Sequence, residues 1–319
     1  MTPAEPHAEN PAQTALFADE ELASYVAQPA PAFAQPDVLA MRAAIAERAR
    51  SRPAGPDLAE VRDLEVEGLR ARLFRPADGD VGLVVYLHGG GWTIGEIESF
   101  DRLCRRLAAR SGCAVLCPEY RLAPEHPWPA SVDDAVAVLR AVATGPGELG
   151  TLNGRMAVAG DSAGGALAAL ACLRLRDEAP SASPDLQVLL YANTDLADDS
   201  PSMSEKASGF GLTVDAVHYF NAQWVPDRAR WSDPRVSPLR AADLSGLPAA
   251  VVVTAEHDPL RDQGEAYGRR LSEAGVAVTQ RREAGLIHNF MLLDEISPAC
   301  AAAADRVADD IAQLLGTSS

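Results

Sequence analysis

The sequence predicts an α/β protein built on one largely parallel sheet. Short apolar runs alternate with helix-length segments from residue 82 onward, two polar-alternating runs joined by a glycine precede them, and polar or glycine-rich stretches follow several of the runs. With 319 residues and 47% hydrophobic content, the chain is long and apolar enough to bury a sizeable core.

Residues 1–14 are rich in Pro, Ala and Glu without apolar periodicity, so they are expected to form a mobile tail. Residues 15–52 hold two helical segments, 15–28 and 37–50, separated by "QPAPAFAQP". In the second, Asp37 is placed to cap the helix, and Leu39, Met41 and Ile45 are its apolar positions. The catalytic part of the chain is expected over 53–319. "VRDLEVEG" and "LRARLFRP" alternate apolar with polar residues across a glycine, as a half-buried antiparallel pair at a sheet edge would. "GLVVYL", "CAVLCP", "RMAVAG", "LQVLLY", "AAVVVT" and "VAVTQ" supply six more strands, giving eight. Helices are expected at 99–110, 132–142, 163–178 and 263–273. From about 195 to 238 the alternation breaks. Acidic residues, "SGFGLT" and a helix at 214–224 mark an insertion at about 197–235, which with the N-terminal helices would form a lid above the strand ends.

Charge narrows the function. Against 28 Lys and Arg stand 45 Asp and Glu, a net charge of −17 that repels phosphate backbones and anionic lipid, so no nucleic-acid partner is expected. No apolar run reaches the roughly 18 residues of a membrane span, and "MTPAEPHAEN" lacks the parts of a secretory signal, so the expected compartment is the cytoplasm. The five cysteines lack metal-ligand spacing and read as buried reduced thiols.

In a parallel sheet, reactive groups gather at the carboxyl ends of strands. Four such loops carry chemistry. "GDSAG", from Gly160 to Gly164, lies between the strand "RMAVA" and an Ala- and Leu-rich helix. Its glycines permit a tight turn that lifts the Ser162 hydroxyl clear of the backbone. "HGGGW", from His88 to Trp92, follows "GLVVYL" and leaves backbone N–H groups unshielded for an oxyanion. A serine hydroxyl needs a base near neutral pH, and the chain has six histidines. His7, His88, His126 and His218 are not on a loop after a late strand. His257 precedes Asp258, and neighbours on an extended chain point opposite ways, so His288 in "GLIHNF" is the expected base. Asp258 in "EHDPLRD" is the expected orienting acid. Asp195 and Asp262 are the other acids weighed, and Asp262 is read as the cap of the helix beginning near Gln263.

These stretches, with "PEYRLAPEHPWPASVDD", "DPRVSPL" and "HNF", resemble the hormone-sensitive-lipase-like family of α/β-hydrolases, the bacterial esterases with an HGGG motif, over most of the chain from about Gly82. The resemblance implies an α/β-hydrolase fold with a helical cap, and Ser162, Asp258 and His288 as catalytic triad. It also implies an oxyanion hole from the N–H groups of Gly90, Gly91 and Ala163. His88 and the "YRLAPEHP" segment, Glu125 included, correspond to structural supports of the glycine loop. The implied activity is hydrolysis of short- to medium-chain esters through an acyl-enzyme, on small-molecule substrates and with no metal or organic cofactor. Amide, peptide or lactone hydrolysis and acyl transfer would use the same groups, and a non-catalytic binding protein of this fold would have lost one of them. Trp92, Phe210 and Leu212 are candidate pocket residues. A homodimer is left open by analogy. The chain departs from many relatives at Asn289, where they carry Gly after the catalytic His, and at Ala192, where they carry Pro.

Overall fold

Strands β1 (Glu60–Val66) and β2 (Leu69–Arg75) pair antiparallel, Glu60 opposite Arg75, across Glu67-Gly68. Both turn residues have positive φ, 52° and 77°, as a two-residue hairpin that follows the sheet's twist requires. The other strands are β3 (Val81–Leu87), β4 (Ala114–Pro118), β5 (Leu152–Asp161), β6 (Leu186–Leu190), β7 (Ala249–His257) and β8 (Val278–Ile287). They complete an eight-stranded sheet of order β1-β2-β4-β3-β5-β6-β7-β8. β2 meets β4 antiparallel and all later neighbours run parallel, so the expected edge pair and parallel body are both present. The computed structural model describes residues 16–28, 37–79, 81–145, 147–150 and 152–315. The tail expected at 1–14 and the proline-rich link at 29–36 lie outside the described residues.

Nine helices occur among the described residues: α1 (Glu20–Val26), α2 (Val38–Ser51), α3 (Ile97–Ser111), α4 (Ala130–Ala143), α5 (Ala163–Glu178), α6 (Pro201–Glu205), α7 (Val214–Trp224), α8 (Arg261–Glu273) and α9 (Pro298–Leu315). No helix among those residues is long and apolar enough to cross a membrane. Every residue of β3 is buried because helices cover both faces of the sheet. Leu83, Val85 and Leu87 point into the core under α4, α5 and α8, while Val84 and Tyr86 point into the one under α3 and α9.

The structure departs from the expected elements at several points. Of the helix expected at 15–28, only Glu20–Val26 forms among the described residues, because Asp19 caps it there and the residues before it turn. α2 forms, capped by Asp37 as expected, yet none of its residues is buried and Leu39 is 67% exposed. Ile45 and Ala49 front a large cavity instead of a packed core, so the helix cannot bury the apolar face its sequence offers. β8 runs on to Ile287 beyond the expected "VAVTQ". The added residues look like a loop because they are charged, but on an edge strand those charges find partners: Arg282 bonds Glu265 at 2.7 Å and Arg281 bonds Glu283 at 2.7 Å.

Polar clamps join the outer helices to this body. Asp19 accepts the Leu22 N–H at 2.8 Å to cap α1, and its other oxygen accepts Ser297 Oγ at 2.6 Å and the Ala299 N–H at 2.9 Å. One carboxylate thereby fastens the starts of two helices. Arg42 of α2 binds both oxygens of Glu125 at 2.8 Å and the carbonyls of Thr93 and Ala123 at 2.9 Å. The buried Asp294 side chain gathers three guanidinium groups, Arg102 at 3.0 Å, Arg106 at 3.3 Å and Arg52 at 3.7 Å.

Removing that anion leaves three cations facing one another. Asp294→Ala is expected to lower the unfolding free energy by about 3 kcal/mol, the low end for a broken buried pair because the guanidinium groups still reach solvent. Denaturant unfolding of the two proteins measures it, and an unchanged midpoint would show that Asp294 does not hold α3 to the α2 end.

Candidate active site

Ser162 stands alone between the end of β5 and the first residue of α5, with φ 53° and ψ −117°. An L-residue reaches this conformation only under strain, about 1–3 kcal/mol. The surroundings hold it there: its N–H donates to the Leu190 carbonyl at 2.9 Å, and its carbonyl accepts the Ala166 and Asn193 N–H groups at 3.2 Å. Gly164 lets α5 approach the end of β3, since any Cβ there would collide with the Leu87 carbonyl oxygen.

Three strand ends meet at this turn. His288, directly after β8, places Nε2 3.0 Å from Ser162 Oγ, and its Nδ1 lies 2.7 Å from Asp258 Oδ2. Asp258, directly after β7, is fully buried, and its other oxygen accepts the Leu260 N–H at 2.8 Å. A carboxylate can only accept from the imidazole, so Nδ1 carries the proton and Nε2 offers its lone pair to the serine. Tyr191 packs edge-on against the His288 ring at 4.8 Å and helps fix its plane.

The glycine loop is held from several sides. Asp161 Oδ1 accepts the Gly89 N–H at 2.8 Å, Tyr120 donates its hydroxyl to the His88 carbonyl at 2.6 Å, and Gly90 O accepts the N–H groups of Thr93 and Ile94. The His88 ring stacks between Phe100 and Tyr120, and burial lowers its pKa to about 4, so it packs as a neutral ring. Trp92 stacks on Trp224 with ring centres 4.0 Å apart. Glu125 is exposed and bound by Arg42. Among the described residues, the N–H groups of Gly90, Gly91 and Ala163 find no acceptor, and all three residues line the same small pocket as Ser162. Donors so placed, one of them at the N-terminus of α5, can receive a negative oxygen.

Other sequence candidates fall elsewhere. His257 Nε2 bonds the Leu16 carbonyl at 2.6 Å, and its Nδ1 lies 3.1 Å from Lys206 Nζ, so the ring turns away from Asp258 as alternation requires. Asp195 pairs with Arg240 at 2.7 Å. Asp262 does not cap α8 as expected, because the helix begins at Arg261; it bonds Arg261 and accepts the Ser202 N–H at 2.9 Å. Phe210, expected to line the pocket, instead stacks on His257 at 4.9 Å beneath Lys206, since "SGFGLT" turns its aromatic ring toward the N-terminal segment. Trp92 and Leu212 do line the pocket, of about 100 Å³, together with Val217, Phe220, Leu260 and Asn193, which the sequence reading missed. The spacing of Val217, Phe220 and Trp224 on α7 was a usable helical signal for one inward face. Asn193 donates to Asn221 Oδ1 at 3.0 Å and so ties the end of β6 to that helix.

Sheet order and the serine elbow at the end of β5 define an α/β hydrolase. Residues 84–292 match the family described as having the alpha/beta hydrolase fold, and the chain belongs to that family. The motif resemblance to its hormone-sensitive-lipase-like esterases holds as well. The chain is 42% identical to the carboxylic ester hydrolase LipN of Mycobacterium tuberculosis over 277 residues, which cover 83% of this chain and 73% of that protein. It is 39% identical to the ethyl acetate hydrolase of Pseudomonas putida over 232 residues, 72% of this chain and 73% of that one. Among solved structures, a thermostable carboxylesterase cloned from a metagenomic library superposes with a TM-score of 0.82 at 37% identity, over 88% of this chain and 98% of the other.

Asp161 supplies a pH signature of this centre. Burial raises its carboxyl to about 6, against the opposing hydrogen bonds from Tyr86 and Gly89. The folded chain therefore holds this proton more tightly than the unfolded one, so the carboxyl's contribution is full below the unfolded value near 3.8 and is lost as pH rises through about 6. Asp161→Asn keeps an oxygen for Tyr86 and Gly89 but does not titrate. Its stability relative to the parent is expected to climb between pH 4 and pH 7, by an amount on the order of 2–3 kcal/mol. Melting both proteins across that range tests this. Any cost of the amide's added donors is independent of pH, so a flat difference would rule out a raised Asp161.

Proposed function

We propose that the chain is a serine carboxylic ester hydrolase that works through an acyl-enzyme on short- to medium-chain acyl esters. The observation that carries this is the relay from Ser162 Oγ to His288 Nε2 at 3.0 Å and from Nδ1 to Asp258 at 2.7 Å, beside three unclaimed N–H groups. Ser162 attacks the ester carbonyl as His288 takes its proton, and Asp258 stabilises the imidazolium that forms. Gly90, Gly91 and Ala163 receive the oxyanion. His288 then returns the proton to the departing alcohol, and a water molecule, activated by the same ring, releases the acid. The names of the relatives, a carboxylic ester hydrolase and an ethyl acetate hydrolase, favour esters over amides, lactones or acyl transfer.

In this reading α1, α2 and the segment at about 197–235 form the cap, which supplies Leu212, Val217 and Phe220 to the pocket. The substrate is a small-molecule ester. All five thiols are buried and free, which suits a reducing compartment, and we place the protein in the cytoplasm. β8 is an open sheet edge, through which a homodimer could pair, and size-exclusion chromatography decides its occurrence.

Ser162→Ala and His288→Ala are each expected to lower kcat for p-nitrophenyl acetate by about 10⁴-fold or more while leaving thermal unfolding intact. Across p-nitrophenyl esters from acetate to palmitate, the short chains are expected to turn over fastest. A folded Ser162→Ala with undiminished rate would overturn the mechanism, and a preference for palmitate would overturn the size class.

A further inference from the structure

The glycine loop turns through two consecutive left-handed residues, Gly91 at φ 58° and Trp92 at φ 57°. Glycine takes that conformation freely, whereas a bulky aromatic residue holds it only under strain. The Trp92 carbonyl accepts the Ala123 N–H at 2.8 Å, which fixes one side of the turn. Its side chain has no such bond: the indole is buried, and Nε1 finds no hydrogen-bond partner among the described residues. The ring is held by a flat contact instead, with Trp224 lying parallel to it, 9° between planes and 4.0 Å between centres.

Trp224 is itself firmly fixed. It is fully buried at the end of α7, its Nε1 donates to Ser131 Oγ of α4 at 3.0 Å, and its carbonyl accepts the Trp128 N–H at 2.9 Å. One turn earlier on the same helix, Asn221 accepts from Asn193 at 3.0 Å, and the Phe220 ring lies so close to Gly91 that any Cβ there would collide with it. α7 therefore meets the loop twice, at Gly91 through Phe220 and at Trp92 through Trp224. The turn it braces carries the unclaimed N–H groups of Gly90 and Gly91, beside the pocket of Ser162.

We propose that Trp224 is a positioning residue for the oxyanion hole: stacked on Trp92, it stabilises the left-handed Gly91–Trp92 turn and keeps the two glycine N–H groups aimed at the reacting carbonyl oxygen. This role rests on the ester-hydrolase reading. It makes α7 part of the catalytic apparatus as well as a pocket wall, because the helix that limits the substrate also holds the groups that receive its charge. Without the stack, Trp92 relaxes toward negative φ and the peptide units of the loop rotate. A donor is then lost from the transition state while ground-state contacts with the substrate stay.

The test compares, in the full chain, Trp224→Met, which fills the space without a flat ring, with Trp224→Phe, which keeps one. In Trp224→Met, kcat/KM for p-nitrophenyl acetate is expected to fall about a hundredfold, as for the loss of one preorganised donor. Affinity for a short-chain trifluoromethyl ketone is expected to fall by the same factor, because Ser162 Oγ adds to its carbonyl, the serine proton passes to His288, and the new oxyanion needs the same donors. The methyl ketone of the same chain binds without adding the serine, and its affinity is expected to stay within about threefold. Trp224→Phe is expected to keep all three values within about fivefold of the parent. An unchanged kcat/KM, equal weakening of both ketones, or a Phe variant as impaired as the Met variant would each overturn the role of Trp224. If Trp224→Met does not fold, Ser131→Ala takes its place, since it removes only the acceptor of the Trp224 indole N–H. A loss of about fivefold in kcat/KM and in trifluoromethyl ketone affinity is expected there, and no loss would overturn the role. If the parent cleaves an anilide or lactone but no ester, the ester reading fails, while the ketone comparison, which needs no substrate, still decides the role of Trp224.

Discussion

Everything at the reactive centre depends on one strained peptide unit, the turn at Ser162. Its conformation points a hydroxyl outward at the meeting place of β5, β6 and α5, and it survives because neighbouring backbone groups bond it on both sides. The same turn brings the amino end of α5 against the carboxyl end of β3, where Gly164 leaves room for the Leu87 carbonyl. The serine turn and the glycine loop are therefore not separately adjustable: a change that relaxes Ser162 moves the helix that carries Ala163, and with it the geometry of the unclaimed N–H groups.

Two buried titratable groups lie beside that turn. His88 is held neutral by burial, and burial raises the Asp161 carboxyl to about 6. Both groups act through geometry, His88 as a stacked ring and Asp161 as an acceptor for Tyr86 and Gly89. Formal charge is concentrated farther out, in arginine and carboxylate clusters such as those around Asp294 and between Arg42 and Glu125, which fasten the outer helices.

The parallel body and the meeting of Ser162, Asp258 and His288 were legible in the sequence because each is encoded locally. An apolar run ends, a glycine or proline follows, and the polar residue after the break lies at the strand end. The limits of α5 and α7 were legible for the same reason. What escaped depends on distant partners. α2 has the composition of a packed helix, but a cavity lies beneath it. The last part of β8 is charged, and its pairing with β7, with Glu265 reaching Arg282 from α8, makes it a strand. Phe210 looked like a pocket residue until His257 proved to be its stacking partner, and Asp262 looked like a cap until Ser202 claimed it.

The five buried thiols carry a consequence for how the molecule opens. Cys104, Cys113, Cys117 and Cys300 sit in the core between the sheet and α3 and α9, whereas Cys172 sits in the opposite core under α5. Burial also pushes the Cys113 and Cys172 thiols upward, away from the reactive thiolate. An alkylating reagent can reach either group only when that face lifts from the sheet, so the rate at which each cysteine is labelled reads the opening of one face separately from the other. The chain carries a built-in pair of reporters for breathing, one on each side of its sheet.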